Sequence, residues 1–100
     1  MPLYAIRRNV GFMNADEVDA AAFRASVCAY EFPGLSWVRS FWDSSGGEIM
    51  CYYEAVDETQ VREHSRKSNI PCDAVYPVTE LLPDGYSSNL QTEELHPVAG

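Results

Sequence analysis

Basic side chains are scarce in this chain of 100 residues: 7 lysines and arginines stand against 15 aspartates and glutamates, a formal charge of -8. A field of that sign repels phosphate backbones and anionic headgroups, which argues against nucleic acid and membrane surfaces as partners. Long apolar runs are missing as well. The opening MPLYAIRRN has no stretch of signal-peptide character, and no run approaches the roughly 20 residues that span a bilayer, so a cytoplasmic location is expected. Cysteine is limited to Cys28, Cys51 and Cys72, an odd number without Cys-x-x-Cys spacing. That pattern excludes a disulfide framework and a zinc knuckle and leaves reduced thiols. No phosphate-cradling loop, dinucleotide fingerprint or nucleophile elbow occurs, so no organic cofactor is expected. The Gly46-Gly47 pair lies between two strand-like segments and reads as turn chemistry.

What is present suits one domain with one core, since 46% of the residues are hydrophobic and the length is near the commonest domain size. Two helix starts share a grammar. Asn14 is an N-cap with Glu17 as its capping-box partner and Met13 and Val18 as a staple; Asp57 repeats the pattern with Gln60, Val56 and Val61. The first helix carries Val18, Ala21, Ala22, Ala25, Cys28 and Ala29 at helical spacing, a stripe of small residues that can lie close on a sheet. The second is expected from Glu58 to Ser68. Alternation marks Leu35 to Trp42 and Ile49 to Ala55 as a hairpin around Asp43-Ser44-Ser45-Gly46-Gly47, with Leu3 to Arg8 as an opening strand. Ala74 to Leu82 is a closing strand interrupted or bulged at Pro77.

The order β-α-β-β-α-β predicts an α+β, ferredoxin-like sandwich, a four-stranded antiparallel sheet with two helices on one face. The uncovered face, with apolar and aromatic side chains on it, predicts a homodimer. This domain covers residues 1–83, where twelve acidic side chains face seven basic ones. Residues 84–100 add three acidic residues and no basic ones, which predicts a tail that is mobile or docked on the partner.

The side chains with reactive or ligating potential concentrate between Ile49 and Asp73. Alternation puts Cys51 and Tyr53 on one strand face and Met50, Tyr52 and Glu54 on the other. His64 follows on the second helix. Each also has a plain structural reading: Cys51 as a small core side chain, His64 as a solvent-facing helix residue among Arg62, Glu63, Arg66 and Lys67, and Cys72 as part of a connection.

Leu3-Tyr4-Ala5-Ile6, Leu35 to Ser40, Met50-Cys51-Tyr52-Tyr53-Glu54-Ala55, Val61 to Ser68 and Ile70-Pro71-Cys72-Asp73, in this order and at this separation, resemble the DUF4242 family of small nickel-binding proteins. The resemblance spans roughly residues 3 to 83. It implies a ferredoxin-like dimer that binds or sequesters nickel or another divalent transition metal. Nickel favours imidazole and thiolate, with carboxylate and water completing the shell; Cys51 and His64 are such a pair, Glu54 and Glu63 are the oxygen donors near them in sequence, and Cys51, His64 and Glu54 are the expected set. Arg7 and Arg39 stand where the resemblance implies an acidic residue and a histidine. By alternation Arg7 lies with Leu3 and Ala5, and Arg39 with Trp37 and Phe41. If these share a face with Cys51 and Tyr53, then Arg7, Trp37, Arg39, Phe41 and Tyr53 line a pocket for a small anionic metabolite or a carbonyl compound. The alternative function is then a cofactor-independent enzyme or binder of isomerase or cyclase type. In it Arg7 and Arg39 fix an oxygen while Tyr53 or His64 moves a proton. The structural alternative is that each arginine pairs with a carboxylate.

Overall fold

Both helix starts are built by the residues that the spacing singles out. In the computed structural model, which describes residues 1–86, Asn14 and Glu17 exchange side chain-to-backbone hydrogen bonds of 2.9 Å in each direction. They open α1, Ala15–Cys28. Asp57 accepts from the Gln60 backbone at 2.9 Å and opens α2, Glu58–Ser68. Gln60 does not close a capping box: its Oε1 accepts from Val56 N at 2.8 Å and its Nε2 donates to the Pro33 carbonyl at 2.8 Å. The side chain therefore ties the helix start to the loop before the second strand. Asn69 ends α2 in the left-handed region, at φ 58°, a conformation that asparagine tolerates better than most residues.

The strands are β1 (Leu3–Asn9), β2 (Ser36–Asp43), β3 (Glu48–Glu54) and β4 (Ala74–Val78), in a single sheet of order β2-β3-β1-β4 with every neighbouring pair antiparallel. With the helices interleaved this is the ferredoxin-like arrangement. Pro77 lies in β4, an edge strand, where its missing N–H costs no ladder bond on the open side. The closing strand ends at Val78 rather than Leu82. Of the expected tail, residues 87–100 lie outside the described residues.

Register decides what the helices cover. Tyr4, Ile6 and Arg8 of β1 stand opposite Tyr53, Cys51 and Ile49 of β3, and these stand opposite Trp37, Ser40 and Trp42 of β2. Ile6, Cys51, Tyr53 and Ile49 join Leu35, Ala55 and Val61 of α2 in the core. Complete burial of Ile6 and Val61 is worth about 2 kcal/mol each in transfer from water. The opposite, uncovered face carries Leu3, Ala5 and Arg7 beside Tyr52 and Met50, with Arg39 and Phe41 on β2 and Tyr76 and Val78 on β4.

Strict alternation fails once, in β2. A bulge between Trp37 and Arg39 takes up Val38 as an extra residue, and one extra residue reverses the face of every later side chain. Trp37 therefore shares the covered face with Ser40 and Trp42, while Arg39 and Phe41 point to the open one.

Candidate functional site

The one cation inside the fold, among the described residues, is Arg8. Its phase in β1 sends it under the helices, where only 1% of its surface remains accessible. Its Nε donates to Cys51 Sγ at 3.2 Å, and its Nη1 donates to Ser65 Oγ and to the Pro71 carbonyl, both at 2.9 Å. Arg8 thus ties β1 to β3, to α2 and to the connection before β4. No carboxylate is among these acceptors. A guanidinium is protonated at every accessible pH, so a whole charge is buried with no carboxylate bonded to it among the described residues.

Tyr53 and His64 complete the layer between the sheet and α2. Their ring centroids are 5.2 Å apart, and Phe32 meets His64 edge-on at 5.7 Å. Burial pushes the Tyr53 phenol well above its ordinary value; Cys51 adds to this, and the Arg8 charge and hydrogen bond oppose it without prevailing. Tyr53 is therefore a neutral phenol at physiological pH. His64, 1% accessible, has Nε2 at 2.8 Å from the Ala25 carbonyl. A carbonyl only accepts, so the proton resides on Nε2 and the neutral ring carries its lone pair on Nδ1. Nδ1 is buried and has no hydrogen-bond partner among the described residues. Burial holds His64 below the usual histidine pKa, opposed by the Ala25 bond and reinforced by Arg8.

Beside this cluster, between α1 and the sheet, lies a cavity of about 230 Å³. Val18, Ala21, Ala22 and Ala25 form its helical side; Trp37, Trp42, Ser40, Cys51 and Tyr53 form its sheet side, and Arg8 reaches it. The alanine stripe of α1 leaves this space open rather than sealing the helix onto the sheet. Trp37 and Tyr53 stack across the strand pair at 6.4 Å and 13°.

The expected pocket of Arg7, Trp37, Arg39, Phe41 and Tyr53 is divided by the sheet. Trp37 and Tyr53 are on the covered face. Arg7, Arg39 and Phe41 are on the other, where Arg39 pairs with Glu80 at 3.2 Å, as the structural alternative holds for that residue. Arg39 and Phe41 also line a shallow groove with Leu3, Tyr52 and Val78. The bulge at Val38 is the cause for β2 and strand phase is the cause for Arg7. Among the three metal donors, Cys51 and His64 are both buried in the helix-side layer, whereas Glu54 is exposed and opposite in phase to Cys51. His64 is not the solvent-facing residue of its plain reading. Cys28 and Cys72 are free and half-buried, and Cys72 packs on the core.

Arg8 and Ser65 were not singled out by sequence reasoning. The available signal was phase, since Arg8 alternates with Tyr4 and Ile6. Leu3 and Ala5 make the other phase of β1 apolar too, so alternation alone does not tell which face is covered.

A family model described as nickel responsive protein, SCO4226-like, matches residues 4–78. No curated protein is matched by this chain. Among solved structures, the crystal structure of SCO4226 from Streptomyces coelicolor A3(2) aligns over 80% of this chain and 99% of that one, with a TM-score of 0.72 and 14% identity. At that identity the likeness speaks for the fold alone. The family model carries more, because its matched span runs from β1 to the end of β4 and includes both helices. The chain belongs to the SCO4226-like family of nickel responsive proteins.

Proposed function

We propose that this chain binds a divalent transition metal ion, nickel first, as cargo, and sequesters it rather than transforming a substrate with it. The observation that carries the reading is the His64 ring. A metal-ligating histidine characteristically donates its second N–H to a backbone carbonyl, which fixes the tautomer and leaves the other nitrogen for the metal. His64 has that arrangement, with Nε2–H on Ala25 and a buried Nδ1 lone pair that no group among the described residues uses. Membership of a nickel responsive family and the -8 charge of the chain support the same reading. Cys51 is the sulfur donor nearest in character, and Glu54 is left out of the set by its phase in β3.

Arg8, 3.2 Å from Cys51 Sγ, opposes a cation at this place through like-charge repulsion. Binding is therefore weak and readily reversed, which suits buffering better than a structural centre. The free thiols suit a reducing compartment, and we place the protein in the cytoplasm as a homodimer closed over the open sheet face.

Calorimetric titration of nickel into metal-stripped protein tests this. Saturable binding is expected, lost in His64→Gln, weakened in Cys51→Ser, unchanged in Arg39→Gln and tightened in Arg8→Gln, where the repelling charge is gone. Absence of saturable heat in the parent protein, or full binding by His64→Gln, overturns the reading.

A further inference from the structure

A buried charge without a counter-charge is costly, and proteins bury ionised groups where a partner of opposite sign completes them. Arg8 has no carboxylate partner within the described residues: its hydrogen bonds run to Cys51 Sγ, Ser65 Oγ and the Pro71 carbonyl. The bonds to Cys51, Ser65 and Pro71 occupy Nε and Nη1, and the Tyr53 phenol is a further hydrogen-bond partner of Arg8, so the five guanidinium N–H donors are not all used. The same side chain reaches a cavity of about 230 Å³ whose remaining walls, Ser40 apart, are mainly apolar and aromatic. At about 30 Å³ per water, that is room for roughly eight water molecules, comparable with a compact organic acid.

We propose that the cavity between α1 and the sheet is a binding site for a small monocarboxylate with an apolar or aromatic body, its carboxylate paired with Arg8 and its body held between the alanine stripe of α1 and Trp37 and Trp42. Guanidinium and carboxylate match as planar, charge-assisted partners. The site is distinct in chemistry from a nickel site, since the same cation that repels a metal attracts an acid. It is also distinct from the groove of Arg39 and Phe41, whose arginine already has Glu80.

The chain has two tryptophans, and both line this cavity, so intrinsic fluorescence reports on it directly. Benzoate titrated into metal-free protein is expected to change the emission saturably and to raise the melting temperature through linkage. Benzamide, the neutral isostere, is expected to bind at least about tenfold more weakly. Ala22→Leu, which fills the cavity and leaves the charge in place, is expected to abolish the response. Arg8→Met is expected to do the same, and Arg39→Gln to preserve it. No saturable response to benzoate in the parent protein, equal affinity for benzamide, or undiminished binding by Ala22→Leu overturns the proposal. The cavity-filling variant decides the matter even if Arg8→Met does not fold.

Discussion

Two consecutive arginines in β1 have opposite fates. Arg7 is exposed on the open face and Arg8 is buried under the helices, because successive side chains of a strand point to opposite sides. Their identity is the same; the pleat alone separates a surface charge from the largest fully buried side chain among the described residues. His64 is the second residue whose role depends on burial. Its folded pKa is lowered, chiefly by desolvation, so below the ordinary value of about 6.5 the unfolded chain binds a proton that the folded chain resists. The stability tied to the neutral ring is complete above that value and is lost as pH falls through the window below it. Denaturant melts of metal-free protein between about pH 7.5 and pH 5 are expected to show this loss. His64→Gln is expected to flatten it; an identical pH profile for the variant would assign the loss to other groups.

At the scale of elements, caps and turns are local and were readable, whereas the bulge was not. Asn14, Glu17 and Asp57 form the cap bonds that their spacing predicts. Nothing in Leu35 to Trp42 marks Val38 as the extra residue, since the segment alternates acceptably in either phase. Pairing with β3 makes the choice, by placing Trp37 and Ser40 over Tyr53 and Cys51. The turn after β2 carries a sharper constraint. Gly47 has φ +67°, and its carbonyl accepts from both Val10 N and Gly11 N, joining the hairpin to the end of β1. A Cβ at Gly47 would stand 2.9 Å from the Gly11 carbonyl oxygen, whereas one at Gly11, at φ +70°, would meet nothing within 4 Å. Gly11→Ala is therefore expected to cost about 1 kcal/mol for its backbone region alone, and Gly47→Ala about 2 kcal/mol or more. Chemical denaturation of the two variants checks the order, and equal losses would show that the approach to Gly11 relaxes freely.

For the whole molecule, the covered and uncovered faces of the sheet are unequal in their demands. The open face leaves Phe41 61% and Tyr76 44% accessible, with Val38, the extra residue of the bulge, at 37%, an apolar surface of the kind that marks an interface. Light scattering in solution is expected to give twice the mass of one chain. Phe41→Glu, a change at a site exposed in the single chain, is expected to give the single mass with the fold intact. A parent protein that runs as one chain at micromolar concentration would remove the dimer from the proposed function.

The sequence by itself determined the element order, both helix starts, the hairpin and the ferredoxin-like class, because caps, turn residues and hydrophobic period act over a few neighbouring residues. It also determined the nickel relation, through motifs in a set order that resemble a known family. Which arginine enters the interior, that Trp37 parts company with Arg39, and that the alanine stripe of α1 leaves a cavity beside a buried cation were decided by the tertiary structure. Those outcomes depend on strand register and on the packing of α1 and α2 against one face, which join residues more than forty positions apart, as Arg8 joins Cys51 and Ser65. Local pattern carries no information at that distance. The chemistry of the site depends on it.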